Sequence, residues 1–113
     1  VAINSNDFIQ YPADAPDKMA AFTAQHGWSF PYLVDEDQSV ARAYVAACTP
    51  DFYLFDGELR LTYCGQFDAS RPKNSEPITG ADLREALRRM LAGEPPLELQ
   101  RPSSGCNIKW KAH

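Results

Sequence analysis

Apolar and polar positions fall into short blocks, each long enough for one element. Val1-Ala2-Ile3-Asn4 is an apolar run stopped by the turn-forming Ser5-Asn6-Asp7, which predicts a buried strand ending in a loop. Between Pro16 and His26 the apolar residues are Met19 and Phe22, with Ala15 and Ala20 as weaker members of the same pattern. Pro16 suits a first helical turn and Gly27 the position after the last, so this stretch predicts a helix. Phe30-Pro31-Tyr32-Leu33-Val34 predicts a second short strand. The acidic triplet Asp35-Glu36-Asp37 follows it and favours the N-terminal dipole of a helix running from about Gln38 to Tyr44.

Two further strands are predicted over Asp51 to Phe55 and Arg60 to Cys64, joined through Asp56-Gly57, a strong hairpin signal. Beyond a loop rich in Pro, Asn and Ser, Thr79 can cap a helix with Asp82 three residues on. Leu83, Leu87, Met90 and Leu91 share one face of it, and Gly93 ends it. The last stretch contains Pro95-Pro96, Pro102 and Ser103-Ser104-Gly105, so residues 94–113 read as an extended tail that packs back through Ile108 and Trp110. The order strand, helix, strand, helix, strand, strand, helix predicts an α/β sheet.

Composition narrows the function classes. The 113 residues suit one domain, and 44% hydrophobic with 23% charged residues is ordinary for a globular chain, which excludes wholesale disorder. A net charge of −4 without a dense Lys/Arg run excludes a general nucleic-acid or anionic-membrane surface. No stretch of about 18 apolar residues predicts a membrane span. The aromatic residues Trp28, Phe30, Tyr32, Phe52, Tyr53, Phe55, Tyr63 and Phe67 then read as core packing rather than a base-stacking platform. Arg84, Arg88 and Arg89 read as a solvated helix face, with a small patch for an anionic partner, formed together with Lys109 and Lys111, as the alternative.

Candidate chemistry is sparse. No Gly-rich phosphate loop and no Gly-x-Ser-x-Gly motif is present, and no cofactor is called for. His26 stands at a helix end and His113 at the terminus, while the acidic residues include no pattern of metal ligands, so no metal site is expected. Cys48, Cys64 and Cys106 are odd in number and widely spaced, with no Cys-x-x-Cys pair; this predicts reduced thiols and a cytoplasmic setting.

Thr49-Pro50 before a strand, the Asp56-Gly57 hairpin, the closing amphipathic helix and the stretch from Phe30 to Tyr44 resemble the C-terminal two-thirds of a thioredoxin-fold protein. The resemblance is to the alkyl hydroperoxide reductase/thiol-specific antioxidant, peroxiredoxin-like group. Ile3-Asn4-Ser5-Asn6-Asp7, Gly65-Gln66-Phe67-Asp68, Ser70-Arg71-Pro72 and Gly105-Cys106-Asn107-Ile108-Lys109-Trp110-Lys111 are similar to an uncharacterised bacterial subgroup of thioredoxin-like proteins. The resemblance implies an α/β thioredoxin-like sheet with flanking helices, lacking the N-terminal reactive-site strand and helix. Residues 1–93 would be the partial domain and 94–113 its tail. It also implies that the missing strand lies between the strands matching Val1 to Asn4 and Asp51 to Phe55, so its loss exposes two inner edges and an apolar face.

By the same resemblance, Thr49 and Pro50 are substrate-binding residues beside a reactive sulfur carried on a strand-helix unit preceding Val1. The implied activity is thiol-based oxidoreduction of a protein disulfide, thiol or peroxide, weak or absent in this chain alone. Cys48 and Cys106 are the candidate catalytic thiols, each as a resolving partner; Cys48 reads otherwise as a small buried thiol under the loop, and Cys106 as part of a structural tail. Cys64 reads as strand packing. The expected partner is a second copy or the rest of a longer parent chain. The alternative function is a non-catalytic interaction module that associates through the proline loop and exposed sheet edges.

Overall fold

The computed structural model describes residues 1–112, so His113 lies outside the described residues. It contains β1 (Ala2–Asn4), a single 3-10 turn (Pro12–Asp14), α1 (Pro16–His26), β2 (Tyr32–Val34), α2 (Ser39–Ala43), β3 (Phe52–Phe55), β4 (Leu61–Gly65) and α3 (Ala81–Leu91). The α/β order expected from the pattern is present, with the strands in two separate two-stranded sheets. The chain divides into two compact units: Val1–Ala46 with the tail from Ile108 onward, and Ala47–Asn107. The tail beginning at Glu94 is thus shared, with 94–107 in the second unit and 108–112 in the first.

In the first unit β1 and β2 run parallel, with Ala2 opposite Tyr32, Ile3 opposite Leu33 and Asn4 opposite Val34. The helix α1 begins where Pro16 fixes φ without wasting a donor, and ends where Gly27 turns left-handed at φ 63° with its N–H on the Thr23 carbonyl. Met19 is the buried residue of α1, and its sulfur accepts a hydrogen bond from Asn4 Nδ2 at 3.3 Å. Phe22 is exposed instead of buried. It meets His26 and Trp28, and Trp28 meets Phe30 and Tyr32, so these rings form a partly exposed cluster where core packing was expected.

Polar side chains knit this unit together. The Asp35 carboxylate accepts the Val40 and Ala41 amides at 3.2 and 2.9 Å, closing the first turn of α2, and also accepts the Ser5 hydroxyl at 2.7 Å. Gln38 is 0% exposed and left-handed at φ 63°. Its Nε2 donates to the carbonyls of Ser5 and Lys109 at 2.7 and 2.9 Å, and its Oε1 accepts the Lys111 amide at 3.0 Å. Lys109 pairs further with Asn6 and Asp7, whose side chain and amide meet its N–H and C=O. Ile108 is buried, as expected for the returning tail, whereas Trp110 stays half exposed with the Arg42 guanidinium 4.9 Å over its ring.

In the second unit β3 and β4 are antiparallel, with a register shift at Leu54/Phe55. The hairpin is wider than the two-residue Asp56-Gly57 turn its sequence announces. Asp56 accepts the Glu58 and Arg60 amides, each at 2.9 Å, and the left-handed residue is Leu59 rather than Gly57. The outer edge of β4 is met by the tail: Gln100 accepts the Cys64 amide and donates to the Thr62 carbonyl, both at 3.0 Å, and Gln66 N–H reaches the Arg101 carbonyl. Tyr63 is the most deeply buried aromatic at 1% exposure. Burial, then Asp82, pushes its phenol up to about 12.

The cap of α3 also differs from expectation. Gly80, left-handed at φ 71°, occupies the position before the helix, and Thr79 stands one residue further out, its hydroxyl accepting the Ala81 amide at 3.2 Å. Asp68, buried, reaches across and accepts the Thr79 and Gly80 amides at 2.7 Å each. The Ser70 hydroxyl, and after it these backbone amides, hold its carboxyl far below the usual range. A Cβ on Gly80 would lie 2.6 Å from the Phe67 ring, so glycine there satisfies both the backbone and the packing. Ala86 is the buried residue of α3, while Leu87 and Leu91 are exposed, so the buried stripe is narrower than the Leu83, Leu87, Met90, Leu91 face its sequence predicts. No helix among the described residues is long and apolar enough to cross a membrane.

Replacing Gln38 by Leu leaves the Ser5 carbonyl and the Lys111 amide without their partner and takes one of two donors from the Lys109 carbonyl. A loss of about 3 kcal/mol is expected in urea unfolding. Asp68→Asn weakens the α3 cap in a pH-dependent way. A depressed carboxyl stabilises fully above its unfolded pKa of about 3.9 and loses that contribution as acid titrates the folded state. The difference in melting temperature between wild type and Asp68→Asn should therefore be constant from pH 7 to about pH 4 and shrink below it.

Candidate functional site

The approach to β3 runs through Ala47-Cys48-Thr49-Pro50-Asp51, and the Thr49-Pro50 peptide bond is cis. Thr49 pairs with Cys106 as an isolated antiparallel bridge, its N–H donating to the Cys106 carbonyl at 2.8 Å. A Cβ on Gly105 would collide with the Thr49 carbonyl oxygen, so only glycine allows the tail this approach. The Gly105-Cys106 step in the distinctive tail motif is therefore a docking device for the segment beside the loop.

The pairing brings three of the four candidate residues to one exposed place. Thr49, Pro50 and Cys106 are exposed, while Cys48 is buried. Cross-strand partners share a face and chain neighbours alternate, so Cys48 points away from the face that Thr49 and Cys106 occupy. The Cys48 sulfur lies 3.6 Å from the Pro50 carbonyl oxygen. Burial and then the Asp51 carboxylate push its thiol up, with Arg71 opposing them weakly. Cys48 is thus held as a thiol at neutral pH and packs under the loop. Cys64, partly buried on β4, is pushed up by the same two causes in the same order. All three cysteines are free thiols.

Asp51 organises the floor of the site, and its role was not visible in the sequence. Its Oδ2 accepts the Ala47 amide at 3.2 Å and the Tyr53 hydroxyl at 3.1 Å. Its Oδ1 accepts the Ser103 hydroxyl at 2.9 Å, and that hydroxyl also lies 2.7 Å from the Gly65 carbonyl oxygen. One carboxylate therefore fixes the chain before β3, the β3 side chain and the tail just ahead of Cys106. Burial and the same carboxylate push the Tyr53 phenol well up. Ser103 reads in the sequence only as a turn former and Gly105 as a turn former that also opens the tail motif; the signal that could have found them is their placement three residues and one residue before Cys106.

Arg71 is the second residue the sequence reading left without a role. Its guanidinium donates to Gln66 Oε1 at 2.6 Å and to the carbonyls of Asp68 and Ser70 at 3.0 and 2.8 Å. Gln66 in turn donates to Asp82 on α3 at 2.6 Å. The Gly65-to-Asp68 and Ser70-to-Pro72 motifs thus form a scaffold around the α3 N-terminus and place a cation where Cys48 feels it. Two of the three α3 arginines are ion-paired, Arg88 with Glu85 and Glu94 and Arg89 with Glu85, while Arg84 donates to the Thr79 carbonyl at 2.8 Å. Among the described residues no group of three or more His, Cys, Asp or Glu can hold a metal ion.

No family model matches the chain, and no curated protein does. Solved structures do match. A hypothetical protein from Sinorhizobium meliloti 1021 is 53% identical with a TM-score of 0.95, over 99% of this chain and 61% of its own. An uncharacterized conserved protein from Geobacillus kaustophilus is 55% identical with a TM-score of 0.96, over 99% of this chain and 59% of its own. The chain therefore spans about three-fifths of the length of these relatives.

The burial pattern sets an order of thiol reactivity. In the native protein at pH 7.5, iodoacetamide followed by mass spectrometry should modify the exposed Cys106 at least about tenfold faster than Cys48 or Cys64, whose thiols are shielded and pushed up by burial. In urea the three rates should converge.

Proposed function

We propose that this chain is the larger part of a thioredoxin-fold, peroxiredoxin-like thiol oxidoreductase domain, presenting the Thr49-Pro50 loop and Cys106 to a substrate. The observation that carries the reading is the Thr49–Cys106 pairing, which holds an exposed thiol at the loop the family resemblance assigns to substrate. Cys48 lies beneath, buried and protonated, and serves packing rather than attack. The attacking thiolate belongs, in this reading, to polypeptide beyond the residues described here. The extra length of the solved relatives is consistent with such a segment.

The chemistry divides between the two thiols. An attacking thiolate adds to one sulfur of a substrate disulfide, the S–S bond breaks, and the other sulfur leaves as a thiolate that takes a proton. With a peroxide, the thiolate takes one oxygen as a sulfenic acid and hydroxide leaves. Cys106, exposed on the Thr49 face, then supplies the second thiol: its sulfur bonds to the first, releasing the reduced thiol in one case and water in the other. A dithiol donor returns the pair to the reduced state. Lacking the first thiolate, the chain alone carries the resolving half of the cycle.

A non-catalytic interaction module is the competing reading. The exposed apolar pair Ile3 and Leu33 favours it, because such a face serves association whether or not thiols react. Peroxide consumption and insulin-disulfide reduction separate the two. The chain alone is expected at the background rate in both assays, and a preparation joined to the reactive-site segment is expected to turn over with a requirement for Cys106. Turnover by the chain alone, removed by Cys48→Ser, would overturn this assignment. A joined preparation indifferent to Cys106→Ser would leave the module reading in its place.

A further inference from the structure

The first unit leaves one sheet face uncovered. Ile3 and Leu33 are cross-strand partners on β1 and β2, so they share a face, and they are 42% and 49% exposed. The other face, carrying Asn4, is the one that meets Met19 of α1. Val40, also exposed, extends the apolar surface of that face into a groove that runs to α2. Glu36 and Asp37 form an acidic rim on this groove, and Lys111 stands at the same opening. Among the described residues the buried apolar side chains are Met19, Ala41, Cys48, Tyr63, Ala86 and Ile108, so much hydrophobic surface is left for something else to cover.

We propose that this groove seats a segment of the polypeptide that the longer relatives carry outside the matched region. That region amounts to about two-fifths of their length. It is long enough to supply a helix or strand with an apolar stripe, and the backbone that carries the groove is shared with both relatives at TM-scores of 0.95 and 0.96. The seated segment places aliphatic or aromatic side chains on Ile3, Leu33 and Val40, and a Lys or Arg beside Glu36 and Asp37. A covering segment stabilises the first unit through burial and needs no thiol chemistry, so this inference stands or falls separately from the redox reading.

The test uses the chain with and without the extra region of the Geobacillus kaustophilus relative, produced together. Alone, the chain should sediment as a monomer and brighten a naphthalene-sulfonate dye, with the signal at least halved by Leu33→Asp. Produced with the extra region, it should form a one-to-one assembly that loses the dye signal, and Leu33→Asp or Val40→Lys should weaken that assembly at least about tenfold. Both positions are exposed, and circular dichroism of each variant alone checks that it folds. Three results would overturn the proposal: a dimer of the chain alone that Leu33→Asp dissociates, placing a second copy in the groove; an assembly equally tight in both variants; or no assembly at all.

Discussion

The side-chain amide of Gln38 is the contact on which the first unit depends. A primary amide out of reach of water costs several kcal/mol unless its hydrogen bonds are made inside, and here three backbone groups make them. Those groups come from Ser5, just after β1, and from Lys109 and Lys111 near the end of the chain. The turn into α2 is therefore tied to both ends of the unit by one residue. That residue accepts a left-handed backbone to do it, a conformation uncommon outside glycine. Asp35, three positions earlier, completes the arrangement by closing the first turn of α2 and holding Ser5.

The second unit uses the same device with a carboxylate. Asp51 gathers the loop before β3, Tyr53 on the strand and Ser103 in the tail, while Asp68 closes α3 and Gln66 with Arg71 braces it. In both units short elements with thin apolar cores are held in place by buried polar side chains bonding to backbone from distant segments. Such networks specify one arrangement because each buried group has few geometries in which it is satisfied. They also explain motifs that carry no catalytic group. The Ile3-to-Asp7 and Ile108-to-Lys111 stretches meet through Asn6, Asp7 and Lys109, and the Gly65-to-Asp68 stretch meets Arg71.

For the candidate site, the loop and its residue types were legible, but the company they keep was not. Thr49-Pro50 stands out locally, and Cys106 stands in a distinctive tail, yet nothing in their separation along the chain says that they pair. The pairing demotes Cys48 and promotes Cys106, because alternation across a bridge sends neighbouring side chains to opposite faces. The shared carboxylate of Asp51 reinforces that order by disfavouring thiolate at both Cys48 and Cys64.

The sequence by itself determined the elements and their order, since apolar spacing, Pro16 and Gly27 around α1, and the acidic residues before α2 act within a few residues of where they stand. It also determined the chemical inventory: three separated thiols, no metal-ligand pattern, and no phosphate loop. Tertiary structure alone decided which of these groups meet. The division into two sheets, the capping of α3 from Asp68, and the seat of Cys106 opposite Thr49 all rest on contacts between residues far apart in the chain. Local propensity carries no information about such contacts, because their free energy comes from burying and satisfying groups that become neighbours only once the chain has closed.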